Sequence, residues 1–164
     1  MTTRRRLFAW VVGLSAGAAG YRWAVRPTDA KDNPRAFEIT KSEEEWRRLL
    51  TSEQFQVLRK HGTEPPWTSP LNKEYGQGIY VCAGCELHLF SSNTKFDSGT
   101  GWPSFWAPLD GAIGTSEDTS FFMRRTEVHC RRCGGHLGHV FDDGPKPTGL
   151  RYCINGVALK FIRA

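Results

Sequence analysis

The chain lacks a hydrophobic run long enough to cross a membrane. It has 164 residues, and an apolar stretch runs from Leu7 to Gly20, with glycines at three of its positions. A transmembrane helix needs about 20 consecutive apolar residues. We therefore do not expect this stretch to be a membrane-spanning anchor.

The body of the chain lacks net charge. The formal net charge of +5 arises from 22 Lys and Arg against 17 Asp and Glu. Seven of the basic and two of the acidic residues fall in residues 1–35, so residues 36–164 are balanced. A neutral body has no basic surface for a phosphate backbone, and we expect no nucleic-acid partner. The chain also lacks internal repeats and low-complexity tracts. Its 12% aromatic residues can build a core without disulfide bonds.

The positive charge lies in the N-terminal arm. Arginines at residues 4–6 precede the short apolar stretch, a pattern typical of a secretory signal. Residues 5–8, Arg-Arg-Leu-Phe, resemble the twin-arginine export motif. We interpret residues 1–35 as a twin-arginine-like signal and linker, which predicts export to the periplasm. The alternatives are an N-terminal membrane tether and a disordered basic tail. The membrane is expected to be a partner only through this arm.

Two short helices are predicted at the start of the body. Ser42 and Glu45 have the spacing of a capping box, which marks a helix N-terminus. An apolar stripe at i, i+3 and i+4 follows it: Trp46, Leu49 and Leu50. The second helical pattern contains Phe55 and Leu58 and ends at Gly62.

The rest of the body has the pattern of short strands separated by turns. From Gly76 onward, glycines and Asp-Gly pairs, which favour turns, separate several apolar segments. The predicted strands are Ile79–Val81, Leu87–Phe90, Phe121–Arg125, Leu137–Phe141, Leu150–Asn155 and Val157–Phe161. The expected fold class is therefore mainly β: an antiparallel β body preceded by short N-terminal helices.

Four of the five cysteines form two C-x-x-C pairs: Cys82 with Cys85, and Cys130 with Cys133. Each pair presents two thiolates on one tight turn, and two such turns complete a tetrahedral zinc site. A closed shell of four thiolates leaves no position for substrate, so the zinc is expected to be structural, one per chain. It would clamp two distant hairpins together.

Two other interpretations of the pairs are redox dithiols and haem attachment. Haem attachment requires His directly after the second cysteine. Here Glu86 and Gly134 occupy those positions.

The fifth cysteine, Cys153, is a candidate nucleophile. In a strand over Leu150–Asn155, alternation puts Arg151, Cys153 and Asn155 on one face. A neighbouring arginine favours the thiolate, which is the reactive form of cysteine. Asn155 can hydrogen-bond a substrate or a neighbour. The alternative is a buried structural cysteine, because Cys packs as a small hydrophobic residue.

His136 and His139 are candidates for proton transfer near neutral pH. Residues three apart face opposite sides of a regular strand, but a bulge at Gly138 would bring the two together. The alternatives are zinc ligation and a core position. Trp102 lies in Gly-Trp-Pro, a rigid turn that can present an indole as the wall of an apolar pocket. The alternative is that Trp102 lies in the hydrophobic core.

Four motifs together resemble the methionine-R-sulfoxide reductase B family, from about Phe37 to the C-terminus. They are residues 82–85 (Cys-Ala-Gly-Cys), 95–105, 129–143 and 151–156. The resemblance implies a twisted, antiparallel, barrel-like β fold with short N-terminal helices and a structural zinc. Residues 36–164 would then form a methionine-R-sulfoxide reductase domain.

The resemblance also implies a reaction. Cys153 would attack the sulfur of methionine R-sulfoxide, and each sulfoxide epimer needs its own enzyme. His139, with His136, would protonate the leaving oxygen. Methionine would leave, and Cys153 would remain as a sulfenic acid.

Further roles follow from the same resemblance. Arg151 would hold the thiolate, and Asp143 would orient the histidines. Asn155 would fix the geometry of the substrate or of the histidines. Trp102 would receive the sulfoxide methyl group, with Phe141 as a second substrate-binding residue.

One position departs from the family pattern. Many members carry a resolving cysteine two residues before the pocket tryptophan, and here that residue is Thr100. With four cysteines on zinc, we predict a mechanism with Cys153 alone. An external reductant, either a thioredoxin-like protein or a small thiol, would restore it. Oxidised proteins are the expected substrates, and the chain is expected to be a monomer. The competing hypothesis is a zinc-clamped module that binds a partner without turnover.

Overall fold

The computed structural model describes residues 37–120 and 123–164. The N-terminal signal predicted over residues 1–35 lies outside them. Within the described part of the chain, no helix is long and apolar enough to cross a membrane.

Helices α1 (Glu43–Leu49) and α2 (Ser52–Lys60) begin at capping boxes. The box of α1 pairs Ser42 with Glu45, as predicted. Trp46 and Leu50 are buried, but Leu49 is 60% exposed. The predicted stripe is therefore wrong at that residue, because the short helix turns it towards solvent.

Among the described residues, nine strands form two antiparallel sheets. They are β1 (Gly78–Cys82), β2 (His88–Ser91), β3 (Lys95–Phe96), β4 (Ser104–Phe105), β5 (Ile113–Asp118), β6 (Arg125–Cys130), β7 (His136–Phe141), β8 (Arg151–Ile154) and β9 (Leu159–Arg163). One sheet has the order β2-β1-β9, and the other has the order β3-β4-β8-β7-β6-β5. The mainly β antiparallel prediction is confirmed. The described strands form two sheets rather than one closed barrel.

Several strand predictions need correction. Strands β3, β4 and β5 are not among the predicted strands, because β3 and β4 have two residues each and β5, Ile-Gly-Thr-Ser-Glu-Asp, has one large apolar residue. The strand predicted over Phe121–Arg125 lies instead at Arg125–Cys130, and residues 121 and 122 are outside the described part. The last strand begins at Leu159 rather than at Val157, since Gly156–Ala158 form a 3-10 helix.

An aromatic cluster joins the two sheets. Tyr80 of β1, Phe90 of β2 and Phe105 of β4 are completely buried. The ring centroid of Phe105 lies 4.9 Å from that of Tyr80 and 4.4 Å from that of Phe90. Burying three large aromatic side chains is a major source of stability. It also fixes β4 in the six-stranded sheet, and β4 pairs with the strand that carries Cys153.

A β-bulge in β7 decides where the two histidines point. Val128 pairs with Gly138, and His129 pairs with His136, so Leu137 is the extra residue. The bulge therefore lies one residue before the predicted Gly138. It has the expected effect, because the rings of His136 and His139 meet edge to face with centroids 5.4 Å apart.

Candidate active site

The predicted nucleophile lies in the middle of the six-stranded sheet. Cys153 on β8 is paired with His139 on β7 and with Ser104 on β4. Directly opposed residues on antiparallel strands have neighbouring side chains. A cavity of about 120 Å³ opens here, and we call it the reactive pocket. It is lined by Thr63, Trp102, Arg125, Gly138, His139, Phe141, Cys153 and Asn155.

Opposing effects act on the Cys153 thiol. Burial raises the pKa of Cys153, and hydrogen bonds from Thr100 and Arg151 together with the Arg151 charge act in the other direction. Burial dominates, so the thiol is mainly protonated at neutral pH. The Thr100 hydroxyl oxygen lies 3.8 Å from the Cys153 sulfur. Residue 100 therefore contacts the sulfur from the position where the family pattern places a resolving cysteine.

Arg151 and Asp143 form a two-pronged ion pair beside the pocket. The Arg151 guanidinium donates to both carboxylate oxygens of Asp143 at 2.8 Å. It also stacks 4.4 Å from the centre of the Phe141 ring. The pair raises the pKa of Arg151. Asp143 therefore holds the arginine that faces Cys153, and the expectation that it orients the histidines is wrong.

Asp118, at the end of β5, orients His139. Its Oδ2 lies 2.7 Å from His139 Nε2 and also accepts a hydrogen bond from Arg125 at 2.7 Å. Hydrogen bonds from Ser120 and His139 hold the pKa of Asp118 far below its usual range. An ionised carboxylate only accepts hydrogen bonds, so Nε2 carries the proton and Nδ1 is the basic atom of neutral His139. Burial lowers the pKa of His139 despite the Asp118 bond, which favours this neutral form.

Glu127, on β6, orients His136. Its Oε1 lies 2.6 Å from His136 Nδ1, and its Oε2 accepts a hydrogen bond from Ser116 at 2.6 Å. Burial raises the pKa of Glu127, but these hydrogen bonds outweigh burial and bring it to about 2. His136 is 2% exposed. It therefore lies behind His139 as a buried, oriented imidazole.

Asn155 and Trp102 are connected through Glu64, in the loop after α2. Glu64 N donates to Asn155 Oδ1 at 2.9 Å, and Glu64 O accepts from Trp102 Nε1 at 3.0 Å. The Glu64 carboxylate accepts backbone hydrogen bonds from Gly156 at 2.5 Å and Val157 at 2.9 Å. Asn155 Nδ2 donates to Leu137 O at 3.0 Å. Asn155 thus fixes the backbone of the histidine strand, and Glu64 fixes both Asn155 and the pocket tryptophan.

The four paired cysteines converge on one point. All four sulfur atoms lie within 4.8 Å of one another. Cys82 and Cys133 are 3.8 Å apart, and Cys85 and Cys130 are 3.5 Å apart. A tetrahedron with zinc–sulfur bonds of about 2.3 Å has edges of about 3.8 Å. The four-cysteine cluster fits a zinc ion, and each sulfur comes from a turn at a strand end.

Sequence reasoning missed three carboxylates that organise the pocket: Glu64, Asp118 and Glu127. Asp118 lies on the missed strand β5, and Glu127 lies on the misplaced strand β6. The Asp110-Gly111 pair before β5 was the available signal, because Asp-Gly favours a tight turn that leads into a strand. Glu64 lies in a proline-rich loop with no periodic pattern, so its contacts follow only from the tertiary fold.

The comparison with known families decides the membership of the chain. A family model described as the SelR domain matches residues 50–163. The chain belongs to the MsrB family. A Pseudomonas putida protein named peptide methionine sulfoxide reductase MsrB is 60% identical over 124 residues, which cover 75% of this chain and 93% of that protein. A Leptospira interrogans protein of the same name is 56% identical over 126 residues, covering 76% of this chain and 96% of that protein.

The similarity extends to an archaeal MsrB protein. The peptide methionine sulfoxide reductase MsrB of Methanosarcina barkeri is 57% identical over 124 residues, which cover 75% of this chain and 87% of that protein. The name shared by these MsrB relatives describes an oxidoreductase. Membership of this family favours the enzyme hypothesis over a module that binds without turnover.

Proposed function

We propose that the chain reduces methionine R-sulfoxide in oxidised proteins to methionine, with Cys153 as the nucleophile. One observation carries the proposal. Cys153 and His139 are cross-strand partners in a cavity that they share with Trp102. A thiol, a basic imidazole and an indole wall are the groups that attack on a sulfoxide requires. The relatives' shared name supports the substrate class.

The first step moves one oxygen atom. His139 Nδ1 takes the proton of the Cys153 thiol, and the thiolate attacks the sulfoxide sulfur. The imidazolium protonates the sulfoxide oxygen, which gives a hydroxyl group on the substrate sulfur now bonded to Cys153. This hydroxyl moves to the Cys153 sulfur as the new sulfur–sulfur bond and the substrate sulfur–oxygen bond break, so methionine is released and Cys153 is left as a sulfenic acid. Methionine sulfur gains the two electrons that cysteine sulfur loses.

The second step needs an external reductant. One thiol attacks the sulfenic acid, which releases water and forms a mixed disulfide with Cys153. A second thiol restores Cys153 and leaves as the oxidised disulfide. Thr100 supports this route, because the residue that touches the Cys153 sulfur has no thiol. A thioredoxin-like protein or a small thiol would be the reductant.

The four-cysteine cluster is proposed to hold a structural zinc ion. Cys82, Cys85, Cys130 and Cys133 would bind it through their thiolates, and the ion would supply a cross-link between the sheets. A closed thiolate shell leaves no open position for the reaction, so zinc takes no part in the chemistry.

A direct assay tests the function. The purified chain is offered the separated R and S sulfoxides of N-acetylmethionine with dithiothreitol, and the thioether formed is measured. We expect turnover of the R epimer only, with complete loss in Cys153→Ser. Turnover of neither epimer by zinc-loaded protein would refute the proposal.

The one-cysteine route has its own test. After a single turnover without added thiol, mass spectrometry of the intact protein should show one added oxygen on Cys153. An internal disulfide, two hydrogen atoms lighter than the reduced chain, would contradict the route.

Export to the periplasm through the twin-arginine motif is also proposed, as the sequence of residues 1–35 indicates. Substituting Lys for both Arg5 and Arg6 should keep the protein in the cytoplasmic fraction of a bacterium with the twin-arginine pathway. Lys substitution at Arg22 is the matched control. Export of the double variant at the normal level would contradict the proposal, and membrane retention of the parent chain would favour a tether.

A further inference from the structure

A second cluster of metal-ligating side chains lies behind the reactive pocket. It consists of His61, the C-cap residue of α2, with Glu127 of β6 and His136 of β7. One ligand atom from each lies within 4.8 Å of the other two. We call it the His-Glu-His cluster. The reaction proposed above routes its proton through His139 and assigns no step to His136 or His61.

The geometry centres on one carboxylate oxygen. Glu127 Oε1 lies 2.6 Å from His136 Nδ1 and 3.0 Å from His61 Nδ1, and the two imidazole rings are 5.1 Å apart. Ion–donor bonds of about 2.1 Å in a tetrahedral site separate the donor atoms by about 3.4 Å. The Glu127 oxygen therefore needs to lie about 0.8 Å further from His136 Nδ1 and about 0.4 Å further from His61 Nδ1 to accept an ion at that bond length.

Burial and charge suit a cation with a path to solvent. The side chains of His136 and Glu127 are 3% and 11% exposed, whereas that of His61 is 66% exposed. An ion can therefore arrive from the side of His61, whose exposed ring is able to adjust. The second oxygen of Glu127 is held by Ser116 at 2.6 Å, and such a partner orients a metal-binding carboxylate.

We propose that His61, Glu127 and His136 form a second metal site that takes a divalent first-row transition-metal ion such as Zn²⁺. Two imidazole nitrogens and one carboxylate oxygen are a donor set for these ions. The site differs from the four-cysteine cluster in its ligands and therefore in its metal preference, because thiolates select soft ions and zinc more strongly than imidazole and carboxylate do. Three protein ligands leave an open coordination position, which is filled by water on the exposed side.

An ion at this site acts on the reactive pocket through His136. The ring of His136 contacts that of His139 with centroids 5.4 Å apart. The ion would bind His136 Nδ1 and so fix the orientation of the ring. On the proposed reductase function, a bound ion therefore slows the step in which His139 transfers a proton. The binding of the ion itself does not depend on that function.

The binding test counts zinc in the full chain. Protein with its four-cysteine cluster already loaded is dialysed against Zn²⁺, and metal is measured by elemental analysis. We expect two zinc ions per chain, with the second bound at least about tenfold more weakly in His61→Ala and in Glu127→Gln. His88→Ala is the matched control, because His88 is exposed on β2, and it should retain both ions.

A second measurement identifies the ligands. Long-range proton–nitrogen NMR spectra of the histidine rings should show zinc-dependent shifts at Nδ1 of His61 and His136. One zinc per chain at saturation would overturn the proposal. A second zinc that His61→Ala retains, or ring shifts confined to His88 or His129, would also overturn it.

The effect of zinc on activity is measured in a single turnover of pre-reduced protein. No thiol is added, because thiols chelate zinc. Zinc should slow the formation of methionine in the parent chain and in His88→Ala, but much less in His61→Ala. Equal inhibition of all three would place the inhibiting ion elsewhere and refute the link to activity. Absence of any turnover would count against the reductase function and leave the zinc count unaffected.

Discussion

At the scale of single residues, Cys153 depends on a balance between burial and one arginine. Burial disfavours the thiolate, and hydrogen bonds from Thr100 and Arg151 together with the Arg151 charge favour it. Asp143 fixes the guanidinium at 2.8 Å on both oxygens and so limits its freedom to leave the pocket. The chain therefore holds Cys153 mainly as a neutral thiol at neutral pH, and in the proposed reaction His139 takes its proton.

The reactivity of Cys153 should rise with pH. A raised pKa means that the thiolate fraction is small at neutral pH and grows as the pH increases through that pKa. We expect the rate of alkylation by iodoacetamide to have its midpoint above that of an exposed cysteine, at about 8.5. Arg151→Met should move the midpoint higher still. Arg48→Met, on the exposed face of α1, should leave it unchanged, and a midpoint below that of an exposed cysteine would contradict the assignment.

Glu64 is a positioning residue whose carboxylate caps a neighbouring 3-10 helix. Glu64→Gln replaces one acceptor oxygen by an amide that cannot accept from the Gly156 or Val157 N–H. Loss of one hydrogen bond to a charged group costs about 1.5–3 kcal/mol. We therefore expect kcat/KM to fall roughly tenfold or more. The Gly156 and Val157 amide resonances should shift with it. Glu53 lines a surface cavity together with Glu64, and Glu53→Gln should change neither. An unaltered kcat/KM in Glu64→Gln would argue against positioning.

At the scale of elements, the pairing of β7 with β8 creates the site. Gly138 on β7 pairs with Ile154 on β8. A Cβ added there would lie 2.1 Å from the backbone oxygen of Cys153. No side chain fits without separating the strands, and separation would move His139 away from Cys153. The bulge beside Gly138 is therefore part of the geometry that places His139 next to Cys153.

Gly138→Ala should both destabilise the protein and abolish turnover. Strand separation in the centre of a sheet exposes core residues, and we expect a loss of more than about 2 kcal/mol in the free energy of unfolding. Gly149→Ala is the control, because its φ is +73° but nothing lies within 4 Å of the added Cβ. It should cost about 1–2 kcal/mol from backbone strain alone. Denaturant unfolding gives both values, and equal losses would refute the role of close approach.

At the scale of the whole molecule, the four-cysteine cluster connects the two sheets. Cys82 ends β1 of the three-stranded sheet, and Cys130 ends β6 of the six-stranded sheet. Leu58 of α2 packs against both cysteine turns. A Cβ atom added at Gly84 would lie 3.6 Å from the Leu58 side chain, and one added at Gly135 would lie 2.8 Å from it. A metal ion here would add a covalent-like link to the contact that the aromatic cluster already provides.

Removing the metal should weaken the whole fold while leaving the residues of the reactive pocket in place. Cys85→Ser is expected to lose zinc and several kcal/mol of unfolding free energy. The loss should stay below the about 10–16 kcal/mol that zinc supplies to zinc-finger peptides, because this chain has a hydrophobic core that does not depend on the metal. Elemental analysis and thermal unfolding measure the two effects. Cys153→Ser should keep its zinc and its Tm, and an unchanged Tm in zinc-free Cys85→Ser would show that the link is dispensable.

Local sequence patterns indicate the candidate chemistry of this protein. Thiol pairs, a lone cysteine beside an arginine, and a Gly-rich histidine segment have local causes, so the clustering of four cysteines, the candidate nucleophile Cys153 and a bulge near Gly138 could be predicted. The sequence does not indicate which carboxylate bonds to which group. Asp143 bonds to Arg151, while Asp118 and Glu127 bond to the histidines. These pairs form because strand order and register bring residues far apart in the chain to one face. Glu64 and His61 likewise acquire their contacts only when the helix and the sheets pack together.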